Sequence, residues 1–205
     1  MPKGWILAKR RRREACVPEE IKYKNKADLG REMAESALAR GLEADWVLGD
    51  SIYGNDQNFR RFLEDRGRAY ILGAPGNVRV WRDLRQWKLS DIAKQIPLKW
   101  SVLSCGQGTQ KPRRFRWAFY EFPKEGSRRG WKNGIPFRQS LLDPEDMSYS
   151  RFFAPVGVSK QHLAEAAGKR RKVEECFQRA KGEVGLAEYE VRSWHGWHRH
   201  TALAM

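Results

Sequence analysis

The sequence predicts an α/β fold that gives way, past residue 75, to a β-rich insertion and closes on a C-terminal helical segment. Three observations carry that reading. Trp46 to Asp50 and Ala69 to Gly73 are short apolar runs without alternation, the pattern of strands buried on both faces of a parallel sheet. Apolar residues before and between them recur at helical spacing. From Pro75 the texture changes to Gly, Pro and short aromatic strands, and helical spacing returns at Ser159.

The elements follow in order. Residues 1–20 form a basic lead ending in Val17-Pro18-Glu19-Glu20, and Ile21-Lys22-Tyr23 reads as a short strand. Asp28 is placed to cap a helix with apolar positions Leu29, Met33, Ala34, Ala37 and Leu38, closed by Gly41. After the strand at Trp46 to Asp50, a turn over Ser51 to Gly54 leads into a helix with Phe59, Phe62 and Leu63 on one face. Gly67 ends that helix and Ala69 to Gly73 is the next strand, so residues 21–75 alternate strand and helix with right-handed crossovers. Residues 76–157 are the β-rich insertion: a strand from Arg114 to Phe122, a basic turn from Gly126 to Gly134, and a return strand over Ile135 to Leu142, with a helix starting near Ser90. Residues 158–205 are the helical part, strongest over Ser159 to Ala187.

Composition narrows the partner. Forty Lys and Arg against 25 acidic residues give a net charge of +15, which favours a polyanion over a small-molecule substrate. No segment has the length of a membrane span, and no helix pairs a clean apolar face with a basic back. The apolar stretch Trp5 to Ala8 is short and precedes the basic run Arg10 to Arg13, the reverse of a signal peptide. Cys16, Cys105 and Cys176 are odd in number and far apart, which fits a reducing cytoplasm and no disulfide framework. Of the nine tryptophans, Trp117, Trp131, Trp194 and Trp197 lie within two residues of Lys, Arg or His. Base stacking in a basic groove is one use for them, and core packing is the other.

Asp50 ends a buried strand, where functional groups of open α/β sheets gather; a turn-starting aspartate is the alternative. Far along the chain, helical spacing places Arg170, Glu174 and Lys181 on one stripe, within about 40° of each other along about 16 Å of axis. One carboxylate between two cations suits a metal ligand beside a polyanion, while a solvated helix with i, i+4 pairs would show the same residues. Val173, Cys176, Phe177, Ala180 and Val184 define the expected buried face, which puts Glu174 on its shoulder and Glu175 outward, and so selects Glu174. His195, His198 and His200 lie close together without a cysteine or acid at zinc spacing. No phosphate-cradling glycine loop of the nucleotide-binding kinds occurs.

Gly49-Asp50-x-x-Tyr53-Gly54, followed by Arg170-x₃-Glu174-x₆-Lys181, resembles the second and third acidic blocks of DDE-type transposases of bacterial insertion sequences. Val173 to Leu186, continuing to Tyr189 through Trp194, is similar to the insertion sequence 701 family in particular. The resemblance implies a ribonuclease-H-like fold with an insertion between the second and third acids. It implies that Asp50 and Glu174 are catalytic and hold two Mg²⁺ (or Mn²⁺) ions, and that Arg170 and Lys181 bind the DNA of transposon ends. It further implies a bacterial, cytoplasmic and nucleoid-associated protein. Where the family has a tyrosine three residues before the arginine, this chain has Ala167. The family's first aspartate also has no counterpart. Asp28 sits where a helix cap is expected, and Asp45 lies at the far end of Asp50's strand, about 15 Å away at strand rise. The expectation is therefore an incomplete ribonuclease-H-like fold: a C-terminal transposase fragment, inactive alone, that needs its missing N-terminal part. The alternative is a non-catalytic DNA-binding remnant that modulates an intact transposase.

Overall fold

The computed structural model describes residues 4, 7–82, 84–108, 111–123, 128–190 and 192–204. In chain order its elements are α1 (Lys9–Glu14), α2 (Lys26–Ala39), β1 (Val47–Gly49), α3 (Ser51–Asn55), α4 (Gln57–Asp65), β2 (Tyr70–Ala74), β3 (Arg79–Arg82), β4 (Arg85–Lys88) and α5 (Leu89–Gln95). They continue with β5 (Ser101–Gln107), β6 (Pro112–Glu121), β7 (Trp131–Gln139), β8 (Met147–Pro155), α6 (Lys160–Glu183) and α7 (Trp194–Leu203). These fall into two units, Lys26–Arg170 and the pair of segments Met1–Asn25 and Arg171–Met205.

The larger unit is built on a six-stranded sheet in the order β1-β2-β8-β7-β6-β5. Only β1 and β2 run parallel, with Leu48 opposite Ile71; the other neighbours are antiparallel. Register sorts the side chains into two faces. Tyr70, Leu72 and Ala74 share one face with Phe153, Arg151 and Tyr149 opposite them. On that face Phe59, Phe62 and Leu63 of α4 pack against Tyr70, Leu72 and Phe153. Farther across it, Leu89 and Ile92 of α5 and Val80 of β3 cover Ala74, Ala118, Ile135 and Phe137. The other face carries Ile71, Phe152 and Ala154 under Leu163 and Ala166 of α6. Helices thus cover both faces of a mixed sheet, as the α/β reading expects and as a ribonuclease-H-like fold requires.

Leu63 is fully buried where α4 meets the sheet. Leu63→Ala is expected to destabilise the protein by about 3 kcal/mol, the cost of lost burial plus the cavity left behind. A urea titration checks this; a midpoint equal to that of the parent would contradict the packing described.

Several expectations need correction. Ile21 to Tyr23 pairs with no strand, and Tyr23 is 46% exposed. The helix predicted to start at Asp28 begins at Lys26, so Asp28 lies in its first turn, where a carboxylate still favours the positive helix end. Its apolar stripe is used in part: Ala34 touches the core, but Leu29 and Met33 are exposed, Met33 at 72%, and the buried residue of the helix is Ala27, outside that stripe. Gly41 does close it, in the left-handed region at φ +82°. The turn after Asp50 is the short helix α3. The basic turn expected from Gly126 lies partly outside the described residues, and Trp131 to Gly134 already belong to β7. β8 is central to the sheet but its first half, Met-Ser-Tyr-Ser-Arg, is polar enough to hide it. Trp117 and Trp131 are structural: Trp117 is buried and stacks on Phe119, and Trp131 stacks on Phe153 with centroids 4.5 Å apart.

In the smaller unit, the Arg12 guanidinium donates to the Pro18 and Ile21 carbonyls, both at 3.0 Å, folding the lead back on α1. The Trp194 N–H donates to the Ala15 carbonyl at 2.7 Å, tying the two segments together. Ser193 caps α7, its hydroxyl accepting from Gly196 N at 3.1 Å. The face of α6 expected to be buried is not. Val173 is 54% exposed, Phe177 44% and Val184 56%, because no element of the described chain covers that stripe.

Candidate active site around Asp50

Chain sterics place Asp50. β1 ends at Gly49, and Asp50, with extended φ −80° and ψ −172°, is the N-cap of α3. Its Oδ1 accepts from Ile52 N at 2.8 Å, satisfying a helix-end donor, and its carbonyl accepts the Gly54 N–H at 3.0 Å. The cap occupies one carboxylate oxygen and fixes the direction of the other.

Three glycines let this turn sit directly on the sheet. A Cβ on Gly49 would come within 3.0 Å of Leu72 Cδ2 and 3.1 Å of Tyr53 Cδ2. A Cβ on Gly54 would overlap the carbonyl oxygen of Gly73. A Cβ on Gly73 would lie 2.9 Å from Ser51 N, 3.1 Å from the carbonyl carbon of Asp50 and 3.2 Å from Arg170 Nη1. The Tyr53 ring fills the space over Gly30 and Gly49 and meets the Phe59 ring at 5.4 Å. Asp56 then caps α4 by accepting from Phe59 N at 2.7 Å, and Arg60 Nη1 donates back to the Gly54 carbonyl.

Arg170 reaches this turn from the other face of the sheet. α6 lies so close to β5 that a Cβ on Gly168 would overlap the Cys105 carbonyl oxygen. Arg113 locks the approach by donating to the Gly168 carbonyl at 3.1 Å and the Cys105 carbonyl at 3.3 Å, and Gln161 donates to the Ser104 carbonyl at 3.0 Å. Arg170 follows two residues later, and its guanidinium occupies the notch that Gly73 leaves beside Asp50. The structure therefore brings Asp50 and Arg170 together within the larger unit.

Glu174 and Lys181 lie farther along the same helix, in the smaller unit, and both are exposed. Lys181 stands in the last turn, where a cation complements the negative helix end. Glu175 pairs with Arg171 Nε at 3.0 Å, an exposed i, i+4 bridge of small energetic weight. The choice of Glu174 over Glu175 had rested on a buried face at Val173; with that face exposed, the choice rests on the motif spacing alone.

Asp45 lies before β1 and Asp50 after it, at opposite ends of the strand, and Asp28 is in the first turn of α2. Among the described residues, no three of His, Cys, Asp and Glu come together as a group able to hold a metal ion; this covers His195, His198 and His200. No helix among them is long and apolar enough to cross a membrane.

A family model described as DDE superfamily endonuclease matches residues 1–118, more than half of the chain. The chain belongs to the DDE superfamily endonucleases. No match is found among curated proteins. The matched span holds Asp50, its glycine-lined turn and the parallel pair β1–β2, and it ends before α6. For a DDE endonuclease the substrate class is DNA, and the superfamily typically works with divalent metal ions. The donor chemistry fits in kind: a carboxylate with one oxygen held by a cap offers the other to a hard, oxygen-seeking cation.

The roles of Gly73, Arg60 and Arg113 were not recognised in the sequence. A glycine inside a strand does signal close approach of another backbone, and Gly73 carries that signal. Nothing local marks Arg60 or Arg113, whose partners are carbonyls brought near only by folding.

Proposed function

We propose that this DDE endonuclease carries part of a transposase active site of the insertion sequence 701 kind, acting on the DNA of transposon ends. The observation that supports it most is the Arg170 guanidinium seated beside Asp50, at the carboxyl end of β1. On this reading Asp50 and Glu174 are the carboxylates that would hold Mg²⁺ or Mn²⁺. When bound, such ions would supply Lewis-acid stabilisation of a leaving oxygen and activation of water or a 3′-hydroxyl. Arg170 and Lys181 neutralise backbone phosphates and set the register of the strand over Asp50.

Strand cleavage in such enzymes needs a further carboxylate, and on this reading neither Asp28, in the first turn of α2, nor Asp45, before β1, supplies it. The purified chain is therefore expected to bind DNA without cutting it. Robust Mg²⁺-dependent strand transfer that disappears in Asp50→Ala would overturn this part of the proposal. The same placement of Asp28 and Asp45 favours a second reading, a non-catalytic DNA-binding protein that competes or co-assembles with an intact transposase.

DNA affinity measured against salt tests the phosphate role. Arg170→Ala is expected to lower the slope of log K against log salt by about 0.9, the share of one phosphate contact. An unchanged slope would remove Arg170 from the DNA interface.

A further inference from the structure

On the face of the sheet opposite Arg170, α4 leaves a cavity of about 180 Å³ above β2, β8 and β7. Its polar lining includes Arg60, Arg61 and Arg151, with Glu64, Tyr70 and Asn133. The charges do not balance: three guanidiniums face one carboxylate, and that carboxylate already accepts from the Tyr70 hydroxyl at 2.6 Å. Arg151 sits opposite Leu72 in the middle of the sheet, and its Nε is shielded from water with no hydrogen-bond partner. A buried charged donor left unmatched is costly, and a ligand that accepts from it would supply the missing partner. Burial, and then the neighbouring Arg60, depress the pKa of Arg151, and the opposing pull of Tyr70 and Glu64 offsets only part of that shift. Arg60 is held in place by its bond to the Gly54 carbonyl, so part of the lining is organised before any ligand arrives.

The geometry points to a phosphate-binding pocket formed by Arg60, Arg61 and Arg151, on the face of the sheet opposite Arg170 and joined to the Asp50 turn through the Arg60–Gly54 hydrogen bond. Planar guanidiniums match phosphate oxygens with paired, charge-assisted hydrogen bonds. The cavity has room for a phosphate and part of an attached sugar, which admits either a strand-terminal phosphate or a backbone phosphate. The pocket does not depend on cleavage at Asp50: a chain unable to cut DNA would still bind phosphate here.

Calorimetric titration of the full chain tests this with inorganic phosphate and with matched short oligonucleotides bearing a 5′-phosphate or a 5′-hydroxyl. Saturable phosphate binding is expected, weakened at least tenfold in Arg151→Gln and unchanged in Lys22→Ala on an exposed segment. If Arg151→Gln fails to give the parent circular dichroism, the exposed Arg61→Ala decides, with at least a threefold loss expected. A 5′-phosphate advantage that vanishes in the variants identifies a terminal phosphate. Equal binding of both oligonucleotides, weakened alike by the variants, identifies a backbone phosphate. No saturable phosphate binding, or affinity within twofold of the parent in a folded variant, overturns the pocket.

Discussion

Asp50→Asn is expected to reduce Mn²⁺ affinity by about 100-fold while leaving the fold intact. The two halves of that expectation come from the two oxygens of one side chain. Oδ1 accepts the Ile52 N–H as the cap of α3, and an asparagine amide oxygen caps a helix as well as aspartate does. The charge, however, is lost, and a hard divalent ion depends on anionic oxygen. Losing an outer-shell partner of a metal site already costs 10- to 100-fold in affinity, so loss of a direct ligand belongs at the upper end, about 100-fold. Electron paramagnetic resonance of Mn²⁺ titrated into parent and variant gives the ratio, and thermal melting shows whether the cap survived. Glu174→Gln serves as the companion measurement. Equal Mn²⁺ binding in parent, Asp50→Asn and Glu174→Gln would leave DNA binding as the chain's role and favour the non-catalytic reading.

Gly54→Ala is expected to be the most damaging methyl group that can be added near the site. The new Cβ would overlap the Gly73 carbonyl oxygen, which is strand backbone and cannot swing aside. Either α3 lifts from β2 or the parallel pair β1–β2 separates, and both carry Asp50 with them. Overpacking of this kind costs about 3 kcal/mol, which for a chain of this size lowers the melting temperature by roughly 6 to 12 °C. Gly182→Ala is the control. Nothing lies within 4 Å of its added Cβ in the last turn of α6, and alanine is the better helix former. A melting temperature for Gly54→Ala within about 2 °C of the parent would show that α3 is less tightly seated than described.

Much of the fold was legible because its strongest patterns are local. Phe59, Phe62 and Leu63 recur at helical spacing and all three are buried on α4. The unbroken apolar run at Tyr70 to Ala74 is a fully buried strand. Patterns misled where burial needed a partner. Val173 and Phe177 keep helical phase as faithfully as the α4 residues do, yet no described element covers them. Periodicity states which residues could share a face and is silent on whether anything packs there. β8 was missed for the opposite reason: a central strand with Arg151 in it departs from the apolar pattern, and the charge is accommodated by the cavity beneath α4.

By itself the sequence determined the basic character of the protein, the motif around Asp50 and the stripe of Arg170, Glu174 and Lys181. These are properties of composition and of spacing along one chain. Only the tertiary structure decided that Arg170 and the Asp50 backbone border one notch, because that notch is left by a third residue, Gly73, on a different strand. It also decided that Arg60 and Arg151, 91 positions apart, line one cavity. Such pairings follow from strand order and register, which arise from long-range hydrogen bonding and have no signature within a short window of sequence.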